Sequence, residues 1–211
     1  MRCLLLADGD LALREAALLH RLVIGLLDAG VHVTHAAPEA VLHRIEPSLG
    51  VEILPYRAFG LPWTRSLRAS ALLEQFEVAT EVSADDPGLV HAIGADCLPL
   101  AIEVARAGDL ALVVDVYSRA MVPKVTRLLG ERFEGVLLAG SQPIAHALMA
   151  SGVAASSVRE CRWGVAPGEP RSDRRHDTLS VAIGGKGESP EAWARCLRGV
   201  AQAASRRESL A

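Results

Sequence analysis

The sequence predicts a doubly wound α/β domain on a parallel sheet, and three observations carry that expectation. Short runs of Leu, Val and Ile alternate with stretches of helical periodicity along residues 2–161. That order suits a parallel sheet, because each parallel pair requires a crossover and a helix supplies it. The joints between the segments are short and hold Gly or Asp. Half of the 211 residues are hydrophobic but only 4% are aromatic. A core of that make-up is built from Ala, Leu, Val and Ile, the stock of helices packed on a sheet buried on both faces.

Residues 2–7 form an apolar run that ends in Asp8-Gly9-Asp10, a buried strand and its loop. Residues 12–29 are helical, with Ala16, Leu19, Val23, Leu26 and Leu27 at near-helical spacing. Gly30 stands where a left-handed cap closes a helix. Residues 31–36 alternate as a second strand broken by Pro38-Glu39, followed by a short helix over 39–45 and a third strand over 51–55. Residues 56–87 are the least regular: Phe59-Gly60-Leu61-Pro62-Trp63 reads as a loop, 66–78 as a helix and 83–87 as a polar break. The alternation resumes with strand 89–93, helix 96–107, strand 110–116 and helix 120–133. Strand 135–139, helix 142–151 stopped by Gly152, and strand 157–161 complete it. Right-handed crossovers turn this order into a Rossmann-like layered domain.

Residues 166–177 are polar and Pro-rich without periodicity, the composition of a linker. Beyond them strand 178–183, the loop Gly184-Gly185-Lys186-Gly187 and helix 190–205 make one further unit, too little to bury its own surface. The expected organisation is a domain over 1–165, a linker over 166–177 and a strand-and-helix unit over 178–211. The 22 basic residues are scattered among 25 acidic ones, for a net charge of −3. No basic stripe forms, which argues against a nucleic-acid partner. Cys3, Cys97, Cys161 and Cys196 lie far apart with no Cys-x-x-Cys pair, so free thiols in a reducing, cytoplasmic setting are expected. Apolar runs this short predict neither a signal peptide nor a membrane span. The seven histidines show no paired spacing, and no metal site is predicted.

Residues 140–165 run from a strand end at Gly140-Ser141 through a helix to Gly152-Val153, then a strand and Trp163-Gly164-Val165. This segment resembles the family 4 glycosyltransferases of the GT-B fold. Val90-His91-Ala92 resembles that family's Val-His-x-His strand end, and Val113-Val114-Asp115-Val116-Tyr117-Ser118 sits where it has Val-x-Thr-x-His. Ala29-Gly30-Val31-His32-Val33-Thr34 resembles its Gly-His-x-Val-Thr lead into the second strand, and the closing strand, Gly-Gly-Lys loop and helix resemble the start of a donor domain. The resemblance implies two facing Rossmann-like domains, an N-terminal one for the acceptor and a C-terminal one for the nucleotide-sugar, with no cofactor beyond that substrate. The chain departs from the pattern in several places. Leu13-Arg14-Glu15 lie near the family's phosphate-side glycine pair, and the nearest glycine, Gly9, stands between two aspartates. Ile93 replaces the second His of the strand end, Tyr117 replaces the next strand's His, and Ala166 replaces the Asp of the Gly-Val-Asp turn. Most of the donor domain is absent from these residues, so a shortened chain, inactive by itself, is expected.

On this resemblance His91 and Tyr117 are candidate catalytic residues. Gly94, Asp115, Ser118 and Arg119 are candidate acceptor contacts, and Gly9, Gly185 and Lys186 candidate donor-phosphate contacts. Open α/β sheets present ligands at the carboxyl ends of their strands; His91, Gly94, Asp115, Tyr117, Ser118 and Arg119 all fall near such ends. Tyr, with an ordinary pKa of about 10, is a poor base near neutrality and a good hydrogen-bonding group. Each residue also has a plainer explanation. His91 reads as a satisfied strand-end histidine, Asp115 as a turn cap, and Asp8-Gly9-Asp10 as a solvated helix cap. The Gly184–Gly187 loop lacks the spacing and the Ser/Thr of a P-loop. The expected function is hexose transfer from a nucleotide-sugar to a small-molecule or glycan acceptor by the complete protein. Two alternatives stay open: a non-catalytic binding or assembly module of the same fold, and an unrelated small Rossmann-like nucleotide-dependent enzyme. An apolar cleft face on an isolated half predicts a homo-oligomer.

Overall fold

The computed structural model describes residues 1–45, 51–58, 62–80, 86–130 and 133–161. The expected linker, the strand 178–183, the helix 190–205 and the loop residues 59–61 and 83–85 lie outside these. The described residues belong to one compact unit, Met1–Gly164.

Among the described residues seven strands form one sheet: β1 (Arg2–Ala7), β2 (His32–Pro38), β3 (Ile53–Tyr56), β4 (Gly88–Ile93), β5 (Ala111–Val116), β6 (Val136–Ala139) and β7 (Val158–Glu160). Their order is 3-2-1-4-5-6-7 and every pairing is parallel. The helices are α1 (Gly9–Arg14), α2 (Ala16–Asp28), α3 (Arg65–Ala79), α4 (Leu98–Ala107), α5 (Val122–Leu129) and α6 (Gln142–Ala150). The alternation of each strand divides its side chains between two cores. Leu4 and Leu6 of β1 join Val90, Val114, Phe76, Leu98, Val104 and Leu148 on the side of α3 to α6. Cys3, Leu5 and Ala7 join Leu11, Leu19 and Val23 on the side of α1 and α2. Burial of such a side chain contributes about 1.5–3 kcal/mol, and β1, buried at all six residues, anchors both layers. The doubly wound parallel fold is therefore present as expected.

Several boundaries differ from the expectation, and the larger differences have local reasons. The helix read over 12–29 begins at Gly9, because Asp8 caps it straight after the strand. It is then interrupted at Glu15, whose φ of −113° and ψ of 28° close α1 on the Leu11 carbonyl. Of its expected core positions Leu19 and Val23 are buried, whereas Ala16 and Leu27 are exposed. The stretch 39–45 is a 3-10 helix, Glu39–Arg44. The helix over 120–133 is shorter, with a 3-10 turn at Arg119–Met121 before α5 and Gly130, at φ 67°, after it.

Candidate functional site

The strand order places a switch point between β1 and β4. The chain leaves β1 towards β2 and β3, then crosses to β4 and continues the other way. Loops from the two strands diverge at their carboxyl ends, and ligands of open α/β sheets lie in the crevice this creates. Here the two ends are stitched together, with Asp8 N–H donating to the Ile93 carbonyl at 3.1 Å. The Asp8 side chain turns back to accept the Leu11 N–H at 2.8 Å as the cap of α1. Gly94 follows β4 at φ +117°, and any β-carbon there would overlap the Asp8 carboxylate. Only glycine allows that close approach together with that backbone. Tyr56, at the end of β3, donates to the Ala7 carbonyl at 2.8 Å and ties the third strand to the same rim.

These contacts alter the role of Asp8-Gly9-Asp10. Asp8 is buried, not solvated, whereas Asp10 is exposed and paired with Arg14. The first turn of α1 is already occupied by the chain's own carboxylate. Gly9 packs beneath Pro38 and Val41. A diphosphate at Gly9 would meet like charge rather than open N–H groups.

His91 and Asp115 form a buried pair, Nε2 to Oδ2 at 2.6 Å, with side chains 8% and 3% exposed. His91 lies two residues before the end of β4, beside Leu5 of β1 and Val113 of β5. It is thus buried within the sheet's layer, and Asp115 meets it from the neighbouring strand. Both side chains are buried rather than open at the edge of the sheet. Tyr117, Ser118 and Arg119 do stand on the rim after β5. Tyr117 is half-buried, and burial first, then the Asp8 carboxylate, push its hydroxyl up to about 12. It therefore keeps its proton and acts as a hydrogen-bond group. Ser118 Oγ accepts the Ala120 N–H at 3.3 Å, and Arg119 is exposed. Cys97 is fully buried, its thiol bonded to the Leu6 and Gly94 carbonyls, and burial holds it far above the ordinary thiol range. It is structural. Gly185 and Lys186 lie outside the described residues.

A cavity of about 490 Å³ opens beside Asp8 and Gly9, walled by the 3-10 helix, Tyr56 to Ala58 and Asp96. Asp96 and Tyr56 are not among the site residues that the sequence singles out, and Pro38 stands out there only as the break of the second strand. Asp96 follows a strand end two residues after Gly94, and Tyr56 closes one, so the same carboxyl-end rule reaches them once the order of strands is known. A larger cleft of about 970 Å³ lies at the other end of the sheet, against the starts of β2 and β3 and the close of α3. It is remote from the switch point, where the fold positions ligands, so the smaller cavity is the better candidate. Among the described residues no helix is long and apolar enough to cross a membrane.

No family model and no curated protein sequence matches the chain. Solved structures do. HepE of Anabaena in complex with UDP matches at a TM-score of 0.54 and 14% identity, over 78% of this chain and 44% of that one. HepE with UDP-glucose matches at 0.54 and 13% identity over the same shares, and HepE with UDP and glucose at 0.52 and 13% over 77% and 44%. The chain thus spans less than half the length of these neighbours, and at such identities the likeness concerns the fold. That fold is GT-B glycosyltransferase-like.

Proposed function

We propose that the chain is the acceptor-binding part of a glycosyltransferase that moves a hexose from a nucleotide-sugar, with the acceptor in the crevice at the carboxyl ends of β1 and β4. The observation that carries this reading is the Asp8–Gly94 junction. It builds a rim at the switch point whose helix N-terminus is closed to phosphate, which suits an acceptor and not a nucleotide. The likeness to HepE, whose structures hold UDP and UDP-glucose, supports the reaction class. In this reading Tyr117, Ser118 and Arg119, which follow β5, donate hydrogen bonds to acceptor hydroxyls. The buried His91–Asp115 pair is a positioning element that fixes β4 against β5 two residues ahead of Tyr117. Catalysis in the complete protein then rests on positioning and on charge stabilisation at the donor, with Gly185 and Lys186 as donor-phosphate contacts. A cytoplasmic setting and self-association belong to the same proposal. A non-catalytic module is the second reading, favoured by the protonated Tyr117 where the resembling family has His.

The test is an NMR titration of the 211-residue chain with UDP, UDP-glucose and simple phenyl and alkyl glycosides, together with a UDP-release assay. Glycosides are expected to shift amides of residues 8–13, 94–96 and 117–119, and UDP release is expected to stay at the uncatalysed level. UDP release above that level would end the acceptor-part reading. Shifts from UDP centred on Gly9 and Gly94 would make the rim a nucleotide site and end it equally.

A further inference from the structure

Helix α3 carries apolar side chains on two opposite faces. Ala69, Leu72 and Phe76 are buried against the core. Leu67, Ala71, Glu74 and Val78 are exposed, and each stands two residues, about 160° around the helix, from one of those core positions. Trp63, in the 3-10 turn Pro62–Thr64 that leads into α3, carries this outer stripe one turn further. Val78, Trp63 and Leu67 are the three most exposed large apolar side chains among the described residues. Scattered singly such residues need no explanation, but three on one stripe mark a contact surface. The charges on the helix point to what covers it. Arg65 and Arg68 stand in its first turn and Glu77 in its last, with no acid at the start and no base at the end. That is the reverse of what the helix macrodipole favours. Arg65, Glu74 and Glu77 form no ion pair among the described residues. Arg68 donates to the Thr64 and Arg57 carbonyls, at 3.4 and 2.7 Å, and meets no carboxylate. The helix therefore has a positive half and a negative half that its own fold leaves unmatched.

We infer that this face of α3 is the contact between two copies of the chain, packed as antiparallel helices about a two-fold axis. The inference rests on the self-association included in the proposal above and gives it a surface; the acceptor reading is decided separately, by the response to glycosides and UDP. An axis passing between Ser70 and Ala71 sets Trp63 opposite Val78 of the other copy, and Leu67 opposite Glu74. Ser70 and Ala71, small and exposed, let the helices approach at the centre. Arg68 of each copy then lies beside Glu74 of the other, about one residue's rise from level, and the macrodipoles oppose favourably. A two-fold contact is isologous, so one self-complementary stripe serves both copies. An anionic membrane does not fit the same stripe, because it would attract the arginine end and repel the glutamate end. Four side chains per copy cover less than the roughly 800 Å² per partner of a standard interface, so the dimer is weak and dissociates on dilution.

Sedimentation equilibrium of the full chain, from about 5 to about 500 µM at low salt, is the test. The mass is expected to rise from monomer to dimer with a midpoint of about 10–100 µM. Leu67→Glu changes an exposed side chain and is expected to weaken the dimer at least about 10-fold. Arg68→Glu and Glu74→Arg are each expected to weaken it about 5-fold, and the two together to restore it, because the swap reverses both members of each pair. A chain that stays monomeric at every concentration overturns the inference and self-association with it. If that monomer co-sediments with vesicles holding about one-third anionic lipid, the face belongs to a membrane instead. A dimer that none of the variants weakens overturns the α3 contact while leaving self-association in place. Weakening by Leu67→Glu without rescue by the charge swap overturns the antiparallel arrangement.

Discussion

His35 is the least comfortable side chain in the described core. It sits in β2 across from Leu5, 6% exposed, and its Nε2 has no hydrogen-bond partner. Burial lowers its pKa from 6.5 to about 4. Between those values the unfolded chain binds a proton that the folded chain refuses, so stability falls as pH drops from 6.5 to about 4 and the loss is complete below that. The loss across that window is about 3 kcal/mol. His35→Leu removes this slope, and by removing an unsatisfied buried nitrogen it leaves stability at neutral pH equal or higher. Urea unfolding of both proteins at about pH 7 and about pH 4.5 checks this; parallel losses would mean that His35 is solvated. Single residues are also the scale at which the sequence is least legible. His91 and Asp115 each stand out near a strand end, but their bond depends on two strands becoming neighbours in register, and nothing local to either segment records that. Gly94 stands out in the same way, whereas its need for glycine comes from Asp8, far away in the chain.

Elements are legible wherever hydrophobic periodicity decides them. The run 2–7 is β1 residue for residue, and the expected 66–78 is α3 to within a residue at each end. Boundaries fail where a cap or a break, invisible to periodicity, takes over, as at Asp8 and Glu15. Helix α3 shows the energetics behind the successes. Ala69, Leu72 and Phe76, spaced three and four apart, face α4 and the sheet, while Leu67 and Val78 are 72% and 77% exposed on the same helix. Phe76 is fully buried and also lies 5.5 Å beneath the Arg2 guanidinium. Phe76→Ala is expected to cost about 3–5 kcal/mol through the cavity it leaves. Val78→Ala, two residues on, should stay within about 0.5 kcal/mol. Similar urea midpoints for the two variants would show that α3 is rotated about its axis.

At the scale of the whole molecule, alternation yields the parallel class but not the order of strands, because order depends on where the chain turns back after β3. That one reversal creates the switch point and so decides which residues meet. It also sets a gradient of stability. β1 and β4 sit at the centre of the seven strands, bonded along both edges and covered on both faces by the two cores. β3 has one described neighbour, and β7 is three residues long with Arg159 and Glu160 exposed. Central amides open only when the whole sheet opens, whereas edge amides open by local fraying. Amide exchange is therefore expected to slow by at least about 100-fold from Val158–Glu160 to the middle of β1 and β4, with β2 and β6 between. Exchange as slow in β7 as in β1 would contradict an edge at that position and would require a further strand paired beyond it. The gradient matters for the site, because the Asp8–Gly94 junction hangs from the two most protected strands. A rim mounted there keeps its geometry while the sheet's margins breathe, which is the rigidity that a binding site demands.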